Sequence, residues 1–241
     1  MPDERAQKAE LRERVWSALD AAGASPGGAR GRIPNFVGSD AAADRVRNLP
    51  GWRRARSVKA NPDRAQQPVR AHALRDGKLL FMAVPKLARS KPFYRLDPAV
   101  FKVSPERLAD RYRAAEVAPT VAVDTMPPID FVICGSLAVN RDGVRIGKGA
   151  ATDIEVALLV EHGLLRPQTI IVTTVHELQL LDEPLPQRPH DFTVDYIVSP
   201  ERVIACPPRK PPGGVDWRAL EPGQLDAIPV LRALAEYRAE S

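Results

Sequence analysis

The sequence predicts an α/β fold, an open, mostly parallel sheet flanked by helices, and three observations point there. Apolar runs of strand length alternate with stretches of helical periodicity, a pattern that builds β-α-β units and covers both faces of a parallel sheet. The chain has 241 residues, 44% of them hydrophobic, which is enough to bury one sizeable core. A glycine-containing run separates a buried apolar strand from a helix, a setting in which anions bind.

Taken in order, Lys8 to Leu19 reads as an amphipathic helix, with Leu11, Val15, Ala18 and Leu19 on one face and Lys8, Arg12 and Glu13 on or near the other. After a glycine-rich loop, Ser39 and Asp40 are placed to cap a helix from Ala41 to Leu49, which ends before Pro50-Gly51. Arg56 to Ala60 reads as a short strand, Gln67 to Arg75 as a helix stopped by Asp76-Gly77, and Lys78 to Val84 as an apolar strand, which together make one β-α-β unit. Pro85 to Pro128 holds several prolines and little periodicity, so it reads as a long excursion with short helical pieces around Pro105 to Arg113. Phe131 to Asn140 follows as a buried strand, then the glycine loop, then a helix from Thr152 to His162 ended by Gly163. Strands over Thr169 to Val175, Asp195 to Ser199 and Val203 to Cys206 complete the sheet. An α/β domain over 1–206 is expected, with a proline-rich linker and a helix from Gln224 to Tyr237 in the remainder, 207–241, packed on the domain or extending from it.

The formal charge of +5 and a pI near 9.4, carried mostly by arginine, suit anionic ligands such as nucleotides, polyglutamylated folates or RNA without choosing among them. Aromatic residues make up only 5% and no RNA-binding signature is present, so nucleic acid is not the expected partner. The longest apolar runs are broken within about ten residues, against roughly 20 needed to cross a bilayer. The opening Pro2-Asp3-Glu4-Arg5 has no apolar signal core, so a soluble cytoplasmic monomer or homodimer is expected. Cys134 and Cys206, and the scattered His72, His162, His176 and His190, have neither disulfide nor zinc spacing. Ser136 lacks the Gly-x-Ser-x-Gly elbow and reads as a strand or turn residue. Trp16, Trp52 and Trp217 read as packing residues, with stacking on a ligand an alternative for Trp52.

The run from Asp142 to Asp153 carries the candidate chemistry. Gly147 and Gly149 permit positive φ and close backbone approach, and the helix that follows from Thr152 offers unpaired N–H groups. Arg145 and Lys148 add positive charge that a phosphate can use, and Asp153 in the first helical turn could hold magnesium through water. The same run also reads as a plain strand-to-helix turn capped by Thr152 or Asp153.

Gly143-Val144-Arg145-Ile146-Gly147-Lys148-Gly149 resembles the Arg-Leu-Gly-x-Gly loop of the 5-formyltetrahydrofolate cyclo-ligases, also called methenyltetrahydrofolate synthetases. Three further blocks agree in order: Lys8-x-x-Leu11-Arg12, the run from Val172 to Leu180 with Gln179, and Pro186 to Pro200 with His190-Asp191. Arg32 to Phe36, Val58 to Asp63 and Gly135 to Val139 resemble the methenyltetrahydrofolate synthetase domain-containing branch. The resemblance implies a fold like that of ribose-5-phosphate isomerase and the CoA transferases. It also implies ATP-dependent conversion of 5-formyltetrahydrofolate to 5,10-methenyltetrahydrofolate, with ATP and magnesium required. On that reading Lys8, Arg12, Arg145, Lys148, Gly147, Gly149, Ala150, Ala151 and Thr152 hold phosphates, Asp153 bears Mg2+, and His190 and Asp191 join the site. Family members usually carry Gly-x-Gly-x-Gly-Tyr-x-Asp, whereas this loop lacks the third glycine and the tyrosine and is one residue shorter. A non-catalytic or differently specific relative that binds a nucleotide or another phosphorylated metabolite is the alternative.

Overall fold

The computed structural model describes residues 4–149, 151–188 and 191–240. In chain order the elements are α1 (Glu4–Ala21), α2 (Ser39–Val46), β1 (Ser57–Ala60), α3 (Gln67–Arg75), β2 (Leu79–Ala83), β3 (Phe93–Leu96), α4 (Pro105–Leu108), α5 (Arg111–Val117) and β4 (Thr120–Val121). They continue with β5 (Ile129–Gly135), β6 (Ala138–Asn140), β7 (Arg145–Ile146), α6 (Ala151–Glu161), β8 (Leu165–Thr174), β9 (Leu180–Leu181), β10 (Tyr196–Val198), β11 (Val203–Ala205), α7 (Gln224–Ala227) and α8 (Pro229–Glu240).

The main sheet runs β11-β10-β8-β5-β1-β2-β3-β4. Its centre, from β10 to β2, is parallel, and β11 on one edge and β3 and β4 on the other are antiparallel. Every residue of β1, and every residue of β5 except the half-buried Asp130, is buried, as strands covered on both faces require. Side chains alternate between two cores. Val58, Leu80, Phe131 and Ile133 pack with α2, α3, α4 and α5 on one face, while Phe81, Val132, Cys134 and Ile171 pack with α6 and the C-terminal segment on the other. Among the described residues, no helix is long and apolar enough to cross a membrane.

Several sequence expectations are corrected. The run from Phe131 to Asn140 is two strands in different sheets: β5 ends at Gly135, and β6 joins β7 and β9 in a separate three-stranded sheet. The strands part at Gly135-Ser136, a turn-type pair inside an otherwise apolar run, and reading the whole run as one strand passes over it. The excursion from Pro85 to Pro128 contains β3 and β4 besides α4 and α5, since short edge strands between prolines leave little alternation to read. Neither Ser39 nor Asp40 caps α2, whose N-cap is Gly38, with no side-chain cap. The C-terminal helix is two, α7 and α8, divided at the extended Ile228 that precedes Pro229.

The stripe of α1 also differs from expectation. Lys8, Arg12, Val15 and Leu19 are spaced by four, three and four residues and so share one helix face. Val15, Trp16 and Leu19 pack on Ala138 and Ile146 of the small sheet and on Leu137 just before it, while Ala18 is exposed. Burying that stripe carries Lys8 and Arg12 to the loop after β7.

Trp52 is a packing residue, buried edge-on against Phe131 with ring centroids 5.3 Å apart. Its Nε1 donates to Asp76 at 2.8 Å, and Arg47 donates twice to the same carboxylate, at 2.5 and 3.0 Å. Burial opposes ionisation of Asp76, but the hydrogen bonds from Arg47 and Trp52 and the Arg47 charge outweigh it, so its pKa lies below the usual carboxylate value. Stability from this contact is present above the unfolded pKa, about 3.9, and is lost as pH falls through the lower folded value. Asp76→Asn is therefore expected to cost about 1 kcal/mol at pH 7 and less below about pH 3, read from urea midpoints. An equal cost at both pH values would show that the charge contributes nothing.

Candidate functional site

The loop after β7 is set by a tight turn upstream. Asn140 Oδ1 accepts from the amides of Asp142 and Val144, at 3.2 and 3.1 Å, and Gly143 takes φ 77° beside Val194, where a Cβ would strike the Val194 carbonyl. Gln179, buried, donates to the carbonyls of Ser136 and Leu137 at 2.7 and 3.2 Å and ties β6 to the chain leading into β9. Neither Gly147 nor Gly149 adopts positive φ, contrary to expectation; the left-handed turn is carried by Gly143. Among the described residues, the amides of Gly147, Lys148 and Gly149 donate to no backbone or side-chain acceptor.

These residues border a cavity of about 380 Å³. Its lining holds Arg5, Lys8, Arg12, Arg145, Lys148 and Arg188 against the carboxylates Asp153, Asp191 and Glu221, six positive side chains to three negative. Arg145 leaves β7 with its side chain only 2% exposed, stacked 4.3 Å over the Phe192 ring. Its Nη2 donates to Asp153 Oδ1 at 2.6 Å, while Nε and Nη1 are buried without a hydrogen-bond partner. Burial works against the Arg145 charge, but Asp153 and other nearby carboxylates outweigh it and raise the pKa. A Cβ at Gly147 would lie 3.0 Å from Nη1, so this glycine leaves the guanidinium its room. Arg12 donates to the Gly147 carbonyl at 3.0 Å, and burial together with the neighbouring Arg188 charge pushes its pKa down.

Lys8 Nζ lies 2.5 Å from Asp191 Oδ2 and 2.9 Å from Glu4, which makes Asp191 a counter-ion for Lys8. Asp153 and Thr152 lie within the first turn of α6, and neither carries the capping role that the plain-turn reading gave them. The Thr152 hydroxyl accepts from Asn61 Nδ2 at 2.7 Å, and Asp153 faces Arg145. Ala151 begins α6. Ala150 and His190 lie outside the described residues. Behind α6, buried Lys59 donates to Asn61 Oδ1 at 2.7 Å and pairs with buried Glu155.

Lys148 also borders a second cavity, of about 820 Å³, lined in part by Arg32, Asp63, Arg64, Arg111 and Tyr112. Burial pushes the Asp63 carboxyl up, with the charge of Arg70 opposing it. Arg70 itself is fully buried, its pKa pushed down to about 10, and donates to the carbonyls of Asn61, Asp63 and Ala109. Gln66 Oε1 is buried without a partner, and a Cβ at Gly135 would come within 3.0 Å of it and 3.1 Å of Asp63 Oδ2. Two acceptor oxygens thus converge beside Gly135, where a Cβ would also press on Ile33.

Sequence reasoning missed Arg5, Arg188, Glu221 and Asp63. Arg5 was legible, since residues 5, 8 and 12 share a helical stripe. Arg188 sits in the Pro186 to Pro200 block, where only His190 and Asp191 drew notice.

An open, mostly parallel sheet that presents a cavity lined by six cationic and three anionic side chains at the loop leading into a helix makes this an α/β protein with a predominantly basic cavity. The model of the 5-formyltetrahydrofolate cyclo-ligase family matches residues 4–200, and the chain belongs to that family. It is 34% identical over 234 residues to the methenyltetrahydrofolate synthase domain-containing protein of Bos taurus, covering 94% of this chain and 61% of that protein. The Mus musculus protein of the same name is 35% identical over 240 residues, 97% of this chain and 64% of that one. The chain thus spans about three-fifths of the length of these curated relatives. A 5-formyltetrahydrofolate cyclo-ligase of Mycolicibacterium smegmatis is 33% identical over 88 residues, 36% of this chain and 42% of that enzyme. The NMR structure of Aquifex aeolicus 5,10-methenyltetrahydrofolate synthetase shares the fold, with TM-score 0.52 and 21% identity over 89% of this chain and 96% of that one.

Proposed function

We propose that this chain converts 5-formyltetrahydrofolate to 5,10-methenyltetrahydrofolate at the expense of ATP. The observation that carries the reading is the meeting of two cavities at Lys148, because a ligase must hold two substrates side by side. The smaller cavity fits nucleotide phosphates, since Arg145 keeps two buried nitrogens without partners and loop amides stand open beside it. In the larger one, Asp63 offers an acceptor to the donor edge of a pterin ring, and Arg32, Arg64 and Arg111 suit glutamate carboxylates.

Among the described residues no cluster of three metal-ligating side chains occurs. Asp153 supplies one carboxylate, which suits a magnesium ion held mainly by the nucleotide's own phosphates and water. That ion would neutralise phosphate charge during transfer to the formyl oxygen. Arg145 and Lys148 would hold the charge that develops as the phosphoryl group moves, and Arg12 would fix the loop through Gly147. Transfer of the γ-phosphoryl group leaves ADP; N10 then attacks the formyl carbon and loses its proton, and the carbon–oxygen bond breaks to release phosphate and leave the closed methenyl ring.

Methenyl product, followed by its absorbance, is expected with ATP and not without it. Lys148→Ala is expected to lower kcat/KM at least tenfold, a loss of about 1.4 kcal/mol or more, because this side chain borders both substrates. The shortened loop favours a second reading, a relative that binds a nucleotide or other phosphorylated metabolite without this turnover. A thermal shift with ATP but no product would select it, and neither shift nor product would sink both.

A further inference from the structure

The family model ends at residue 200, yet the chain that follows helps to wall the basic cavity. α6 is apolar nearly all round, with every residue from Ile154 to Leu159 buried, so its outer face needs a cover. Residues of the C-terminal segment supply it. Arg209 donates to Asp195 at 3.0 Å and to the Thr169 carbonyl at 2.8 Å, and the Val215 amide donates to Glu161 at 2.8 Å. Val215, Ile228 and Leu231 are buried in the core that contains α6, and the Glu161 side chain lies against Gly214.

This anchoring fixes the stretch that carries Glu221. Its amide donates to Gln224 Oε1 at 2.6 Å, and Gln224 returns a bond from its own amide at 3.0 Å. The Glu221 carboxylate lies 3.7 Å from Arg5 Nη2 at the cavity rim, with both side chains about 60% exposed. Asp153 and Asp191 sit in shorter contacts with Arg145 and Lys8, at 2.6 and 2.5 Å. The Arg5–Glu221 pair is the long, solvated one and exchanges partners at little cost.

We propose that the C-terminal segment is part of the anion site and that Glu221 is a built-in counter-anion for Arg5, which an entering polyphosphate displaces. Glu221 then acts as a specificity residue. Its repulsion grows with the charge of the ligand, so it penalises a bare polyphosphate more than orthophosphate or a polyphosphate partly neutralised by a divalent cation. The proposal rests on the reading of the basic cavity as an anion site.

Titration calorimetry of the full chain with inorganic tripolyphosphate and with orthophosphate tests it. Glu221→Gln is expected to tighten tripolyphosphate binding about three- to fivefold at low salt and orthophosphate binding less. The gain shrinks near 0.5 M salt and is lost when Arg5→Gln is also present. Glu201→Gln removes the same charge outside the cavity lining and is expected to change nothing. An unchanged Kd in Glu221→Gln, or an equal gain from Glu201→Gln, overturns the role of Glu221 while leaving the anion site standing. If the wild type binds no tripolyphosphate, the anion site itself falls, and this proposal with it.

Discussion

Arg145→Met is expected to weaken tripolyphosphate or ATP binding at least thirtyfold, about 2 kcal/mol or more, while leaving the thermal midpoint within about 2 °C of the wild type or above it. The two halves have separate causes. Arg145 is buried with Nε and Nη1 unsatisfied, a burden on folding that a ligand phosphate would relieve. Methionine fills similar space over Phe192, and Asp153 keeps contact with solvent, its side chain 24% exposed, so the lost partner leaves no sealed charge. Calorimetry and a thermal melt on one preparation check both. A fall in midpoint of more than about 5 °C with binding retained would make Arg145 a structural strut instead.

Lys59→Met should have the largest effect on folding, about 3–5 kcal/mol at pH 8, because it strands Glu155 in the interior. The two side chains are 0% and 6% exposed, so neither is rescued by water. Burial already pushes the Glu155 carboxyl up, with Lys59 opposing that shift, and removing Lys59 moves it further. A carboxyl whose folded pKa is raised contributes stability below its unfolded pKa, near 4.3, and loses that contribution as pH rises through the folded value. The deficit of Lys59→Met is therefore expected to shrink as pH falls from 8 toward 5. Lys59→Met/Glu155→Leu should recover at least half of it at pH 8. Denaturant midpoints across that range decide the matter, and a double variant no more stable than the single one would show that apolar packing cannot replace the pair.

The parallel sheet was readable because its strands are apolar on both faces, and the β1-α3-β2 unit fell within a residue of expectation. The small sheet was not. Its strands are two or three residues long, too short to show alternation, and only two residues lie between β5 and β6, so pairing in space is what separates the sheets. Within the site, the glycines and cations of the loop were legible by type and spacing. Their geometry was not: the left-handed residue is Gly143, not Gly147 or Gly149, and the α1 stripe buries the face that carries Lys8 and Arg12.

The sequence alone determined the sheet-forming runs, the excess of positive charge and the loop residues that place this chain in its family, since periodicity, charge and motif order are properties of neighbours along the chain. Tertiary structure decided which of those charges meet. Arg5 and Glu221 are 216 positions apart and Lys8 and Asp191 are 183 apart, and no local pattern encodes either contact. Packing brings them together: α1 docks on the small sheet and the C-terminal segment covers α6, because each would otherwise leave apolar surface in water.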